Sequence, residues 1–272
     1  MDDRRIGIFD SGVGGLTVMA AIARALPQER LVYLGDTARL PYGTKSAETV
    51  SRYAVQATRA LMRFDVKLIV VACNTASAVA LPVLTAALAP VPVIGVVEPG
   101  ARAAIAATKS GHIAVIATEG TVRGGAYVRA MHALKADARI AQKACPLFVA
   151  LAEEGWTDGD VPQSVATRYL SEVFGQGKDR PDTLVLGCTH FPLLAQSIAR
   201  AAGAGVTLVD SAETTATEVA QLLDSRSLKR HGNAEPPVFL ATDAVERFAR
   251  VGGLFLGREI DPAQVELVDL AP

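Results

Sequence analysis

Two of the three cysteines in this 272-residue chain end an apolar run and are followed at once by hydrogen-bonding residues. Cys73 sits in LIVVACNTASAVAL, residues 68–81, and Cys188 in TLVLGCTHFPLL, residues 183–194. A free thiol with a pKa of about 8.5 is only a few per cent thiolate at neutral pH, so a reactive cysteine needs local help. The polar residue that follows, Asn74 or Thr189, is placed to start the next helix. The unpaired N–H groups and positive dipole end of such a helix favour an anion and lower a thiol's pKa. For either sulfur alone, the competing role is that of a small buried plug at a strand end. Cys145, in QKACPLFVALAEEG, has no polar neighbour and reads as core filler.

Three cysteines at wide separation, with no C-x-x-C pair, disfavour both a disulfide framework and a zinc site, so no metal is expected. A phosphatase-type cysteine needs an arginine a few residues on, and neither motif has one. Two chemistries remain open. Cys188 and His190 suit Cys–His hydrolysis, although an i, i+2 spacing is not diagnostic. Alternatively, two thiols on opposite faces of one carbon can act as acid and base in turn, which is what a racemase requires. His190 is the histidine placed for proton work; His112, His132 and His231 read as surface residues. In IFDSGVGGLTV, Gly12, Gly14 and Gly15 allow close backbone approach or an anion cradle, or form a tight turn. The spacing is neither G-x-G-x-x-G nor a Walker sequence. Asp10 either polarises a partner at that mouth or caps a helix, and Glu153 and Glu154 read from the residues alone as solvated helix charges.

These residues need elements to hold them. Short Val/Ile-rich runs at 6–9, 31–35, 68–72, 93–97, 113–117, 183–187 and 206–210 fit strands covered on both faces. Between them lie helical stretches, such as 46–63 with Ser46 as N-cap, one opened near Pro99 and closed by Gly111, and one at about 161–175 closed by GQGKDR. Alternating strand and helix implies an α/β fold with doubly wound parallel sheets, whose ligands bind beyond the carboxyl ends of the strands. Asp10, Ser11, Asp36, Thr37, Cys73, Asn74, Thr75, Glu98, Thr118, Thr121, Cys188, Thr189 and His190 all follow such strands. FDSG at 9–12 faintly echoes VDSA at 209–212, and ACNT at 72–75 echoes GCTH at 187–190, which suits two related units facing each other. The polar segment 225–237 reads as a surface loop.

Composition narrows the function classes. Lys plus Arg number 27 and Asp plus Glu 28, a net charge of -1 with no basic stripe, so nucleic acid is not an expected partner. Residues 68–97 carry no charge, but Asn74, Thr75, Ser77 and the prolines at 82, 90 and 92 cut them into pieces too short to span a bilayer. The opening MDDRRIGIFD lacks the features of a signal peptide, and a cytoplasmic location is expected.

At these residues the chain resembles the bacterial glutamate racemases, cofactor-independent members of the aspartate/glutamate racemase superfamily. IGIFDSGVGGLTV, YLGDTARLPYGTKS, VVACNTASA, VIGVVEPGA, CPLFVALAEEG and VLGCTHFPLL carry the likeness, from about residue 6 to about 223, and the tail from 224 adds little. The resemblance implies two doubly wound, flavodoxin-like parallel-sheet domains, 1–97 plus 209–272 and 98–208, with the active site in the cleft between them and closure excluding water. It implies a two-base reaction without cofactor, in which Cys73 takes the proton from D-glutamate and Cys188 from L-glutamate. Asp10 would assist Cys73, and His190 and Glu153 would assist Cys188. The family motif sets its glutamate two residues before the glycine, which selects Glu153 over Glu154. Substrate contacts carry over to Asp10, Ser11, Pro41, Tyr42, Gly43, Asn74, Thr75, Thr118, Thr121, Thr189 and His190. The implied partner is a small molecule, glutamate, with neither nucleic acid nor membrane required and a homodimer as an option; D-glutamate would feed peptidoglycan synthesis. Ala150, Ala152 and Gly124 depart from the family's common residues. Aspartate or hydantoin racemisation, a two-lobed amino-acid-binding protein and a Cys–His amidase are the alternatives.

Overall fold

Uncharged β-branched runs bounded by polar helices fold here into two separate parallel sheets. The computed structural model describes residues 2–175 and 180–270, so part of the GQGKDR helix stop, 176–179, lies outside the described residues. In chain order the strands are β1 (Arg5–Asp10), β2 (Leu31–Gly35), β3 (Val66–Val71), β4 (Val93–Gly95), β5 (His112–Ala117), β6 (Arg139–Ala144), β7 (Thr183–Gly187), β8 (Thr207–Asp210), β9 (Val238–Ala241) and β10 (Val265–Leu267). The first sheet has the order β10-β9-β2-β1-β3-β4 and the second β6-β5-β7-β8, every described pair being parallel. Both contain the 2-1-3-4 winding of a flavodoxin-like sheet, with a switch point at β1/β3 in one and β5/β7 in the other.

The helices are α1 (Leu16–Ala25), α2 (Ala47–Leu61), α3 (Asn74–Leu88), α4 (Val97–Ala107), α5 (Glu119–Gly124), α6 (Ala126–Leu134), α7 (Leu147–Glu153), α8 (Asp160–Phe174), α9 (Ala195–Ala202), α10 (Ser211–Ser225) and α11 (Val245–Leu256). Ser46 caps α2 as expected, its side chain accepting from Thr49 N at 3.2 Å. The helix expected from Pro99 begins two residues earlier, at Val97, which turns Glu98 outward to solvent instead of into the strand mouth. Residues 226–237 form no helix or strand, in keeping with the expected loop.

Period-two alternation sends strand side chains into distinct cores. Ile6, Ile8, Leu68 and Val70 join Ala114, Ile116, Leu184 and Leu186 in one continuous apolar cluster that unites the two sheets. On the far sides, Phe9, Ile69 and Val71 pack under α2 and α3, and Ile113, Val115 and Val185 under α4 and α6. β8 runs across the 208/209 domain boundary expected from sequence, and its ladder on β7 sets Thr207–Asp210 in the second sheet. β9 and β10 return the end of the chain to the first sheet.

Candidate active site

The carboxyl ends of β1, β3, β5 and β7 converge on a cavity of about 340 Å³. Ser11, Pro41, Tyr42, Gly43, Cys73, Asn74, Thr75, Thr118, Glu153, Cys188, Thr189 and His190 line it, as the sequence leads one to expect. Asp10 and Thr121 do not reach the lining; both are buried, Asp10 at 1 % exposure. Cys73 and Cys188 are free thiols contributed by the two different sheets. Cys145, buried after edge strand β6, is absent from the lining, as expected of core filler.

Cys73 is the residue immediately before α3, at a helix N-terminus, and its Sγ lies 3.5 Å from Ser11 Oγ. The expected lowering of its pKa does not occur. Burial, and then the charge of Asp10, push the Cys73 thiol up to about 12. Burial also raises Asp10, against the opposing charge of His190, while Asp10 Oδ2 accepts from Gly12 N at 3.0 Å.

Cys188 departs from expectation in a different way. A 3-10 turn, Phe191–Leu194 with Pro192 as its second residue, follows Cys188, and the α-helix starts only at Ala195, so the sulfur does not sit at the α-helix start as Cys73 does. Its help comes from side chains. Cys188 Sγ lies 3.8 Å from His190 Nδ1, and His190 Nε2 lies 3.1 Å from Glu153 Oε1. Burial pulls the imidazole pKa down, but hydrogen bonds to Cys188 and Glu153 outweigh it and hold His190 at about 10. Its hydrogen bond to His190 holds the Glu153 carboxyl below the usual range despite burial. Glu154 is exposed, so geometry selects the same glutamate as the motif.

Polar contacts stitch the halves together around the cavity. Thr75 Oγ1 and Thr118 Oγ1 are 2.9 Å apart, and Thr121 Oγ1 stands 3.0 Å from Thr118 and 3.4 Å from Thr75. Asn74 Nδ2 donates to Tyr127 Oη at 2.9 Å, while buried Asn74 Oδ1 has no hydrogen-bond partner among the described residues. Tyr42 Oη donates to Asp36, whose carboxylate also receives Arg39 Nε at 2.8 Å. None of Gly12, Gly14 and Gly15 has a positive φ, and close approach demands the last two: a Cβ on Gly14 would lie 2.4 Å from Thr189 Oγ1 and one on Gly15 2.6 Å from Asp10 Cβ, whereas Gly12 has room for one.

Sequence reasoning missed Pro146, Val149 and Ala150, which line the cavity from the start and body of α7, within the same CPLFVALAEEG stretch that carries Glu153. It also passed over the tail. From α11, Arg247 Nη2 reaches Glu153 Oε2 at 2.7 Å, and the Phe255 ring meets the His190 ring edge-on with centroids 4.9 Å apart. No local pattern marks either residue.

Residues 6–219 match the family described as Asp/Glu/Hydantoin racemase. A glutamate racemase of Geobacter metallireducens is 52% identical over 269 residues, covering 97% of each chain. The crystal structure of glutamate racemase isoform RacE1 from Bacillus anthracis superposes with a TM-score of 0.93 at 39% identity, over 99% of both chains. That of a Francisella tularensis glutamate racemase in complex with D-glutamate gives 0.91 at 35% identity, again over 99% of both.

Proposed function

We propose, from the premise that this chain belongs to the Asp/Glu/Hydantoin racemase family, that it interconverts L- and D-glutamate by two cysteine acid/base groups without a cofactor. The observation that carries the proposal is that two free cysteines, one from each sheet, border one small cavity. In the L to D direction Cys188 removes the Cα proton and Cys73 delivers one to the opposite face; the reverse direction exchanges their roles. The asymmetry of their surroundings supports this assignment. A Cys73 thiol held near 12 is a proton donor at neutral pH, and as a base its high proton affinity narrows the gap to a weakly acidic Cα–H. Asp10, buried nearby, assists that side. On the other side, an imidazolium at 3.8 Å offers counter-charge when the Cys188 sulfur becomes anionic, with Glu153 orienting the ring.

The carbanion formed between these steps needs fixed dipoles in a site shielded from water. The threonine hydroxyl cluster and the first backbone N–H groups of α3 suit carboxylate recognition, and the unpartnered Asn74 Oδ1 suits the substrate ammonium. Among the described residues neither Arg nor Lys lines the cavity, so neutral donors carry the anion. D-Glutamate formed in the cytoplasm then supplies peptidoglycan synthesis, a role tested by asking whether a deletion strain requires added D-glutamate.

The direct test is incubation of the purified protein with L-glutamate in deuterium oxide. Circular dichroism should decay to zero as deuterium appears at Cα, and Cys73→Ala and Cys188→Ala should each cost at least about 10²–10⁴ in rate. An undiminished signal, or wild-type turnover by either variant, sinks the proposal. Faster turnover of the aspartate enantiomers would move the substrate assignment within the family.

A further inference from the structure

We propose that Arg247 is a positioning residue for the Cys188 half of the reaction, acting through Glu153 on His190, an inference that rests on the two-cysteine reading of the site. The Glu153 carboxylate divides its two oxygens between two partners. Oε1 faces His190 Nε2 at 3.1 Å, and Oε2 receives Arg247 Nη2 at 2.7 Å. Arg247 thus completes a relay from Arg247 through Glu153 and His190 to Cys188, whose last step is the 3.8 Å approach of Nδ1 to Sγ. With only one oxygen engaged, a carboxylate can rotate and carry the imidazole with it. With both engaged, its plane and the ring's tilt are set together.

The relay also crosses between the halves of the molecule. Glu153 ends α7, which follows β6 of the second sheet, whereas Arg247 lies on α11, which follows β9 of the first. About two turns further along α11, Phe255 presses its ring edge-on against His190. One helix of the first half therefore sets His190 from two directions, by charge through Glu153 and by contact through Phe255. Among the described residues no such arginine–carboxylate relay reaches Cys73, whose side-chain polar neighbours Ser11 and Asp10 lie on or just after β1. Arg247 is half-exposed, with 48% of its side chain accessible, and exposed ion pairs contribute little to stability. Its contribution is to geometry at one of the two sulfurs.

That one-sidedness makes the inference testable. The equilibrium constant of a racemisation is unity, so kcat/KM is tied to the same value in both directions, and the asymmetry must be read from isotope effects. Raising the barrier for proton transfer at Cys188 makes abstraction from L-glutamate more rate-limiting and abstraction from D-glutamate less so. Arg247→Gln should lower kcat/KM by about three- to tenfold. At the same time the α-deuterium isotope effect should rise with L-glutamate and fall with D-glutamate. Arg247→Lys should restore most of the rate, and in a Glu153→Gln background Arg247→Gln should add almost nothing, because the relay is already cut. Isotope effects that move in the same direction for both enantiomers, losses at 153 and 247 that multiply independently, or an unimpaired Arg247→Gln enzyme would each overturn the role of Arg247 while leaving the two-cysteine reading intact. Loss of that reading itself, seen as wild-type rates from Cys188→Ala, would remove both.

Discussion

A methyl group at Gly14 would stand 2.4 Å from Thr189 Oγ1 and 2.5 Å from the His190 ring. Neither neighbour is free to withdraw. Thr189 O accepts from Thr17 Oγ1 at 3.2 Å, and the His190 ring is held between Glu153 and Phe255. Gly14→Ala must therefore push the β1 mouth away from the β7 mouth, and with it Cys73 from Cys188. Overpacking of this kind costs about 1–3 kcal/mol of stability. The catalytic cost is larger, because a displacement of about 1 Å in a positioned site can cost about a hundredfold in rate. Turnover of Gly14→Ala should fall by that order while the variant still folds, as thermal denaturation beside racemase assays will report. Near-wild-type kcat would mean that the two mouths are not held at contact distance.

At the scale of elements, β3 carries a charge where its sequence suggests a plain apolar strand. The Lys67 side chain has no exposed surface, and its ammonium donates to Asp2 O at 2.9 Å and Leu228 O at 2.7 Å while pairing with Glu29 Oε2 at 2.7 Å. Glu29 Oε1 in turn accepts from Arg230 N at 2.9 Å. One buried cluster so fastens the chain start, the turn after α1 and the 226–237 loop to the edge of β3. Lys67→Met strands a buried carboxylate and should destabilise the protein by about 3–5 kcal/mol in urea unfolding, with Glu29→Gln in the same chain recovering part of the loss. An unchanged midpoint would show that Glu29 escapes to water. Lys67 also marks where sequence reading stops. The seven apolar runs became strands because burial on both faces writes itself into consecutive residues, and Ser46, Cys73 and Cys188 were legible because a strand end or helix start is a local event. β6 has no apolar run to announce it, since RIAQKA is a half-buried edge strand, and β9 and β10 are too short to show a period. Lys67, Arg247 and Phe255 were invisible because their partners lie far along the chain, and the raised thiol of Cys73 because it depends on tertiary burial and on the charge of Asp10.

For the whole molecule, joining two sheets through one shared core and one polar seam makes folding and the protonation of the seam a single equilibrium. His190 carries a consequence near neutral pH. Its folded pKa of about 10 lies above the ordinary 6.5, so the stability it contributes is fully present below about 6.5 and is lost as pH rises through 10. In between, the folded state holds one proton more than the unfolded chain, and the unfolding free energy falls by up to about 1.4 kcal/mol per pH unit. Two carboxyls act in opposite senses beside it. Glu153, lowered, contributes stability that disappears as pH falls through its folded value, whereas Asp10, raised, has the opposite sign. Above about 9 the buried thiols of Cys73 and Cys145, both raised to about 12, add further losses. Between pH 7 and 8.5 the His190 contribution therefore declines steadily. Urea unfolding across that window should show a steady decline for the wild-type chain and a much flatter profile for His190→Gln, whose amide keeps a hydrogen bond to Glu153 without titrating. Parallel profiles for the two proteins would mean that His190 is not held charged in the seam, and the counter-charge assigned to it beside Cys188 would have to come from elsewhere.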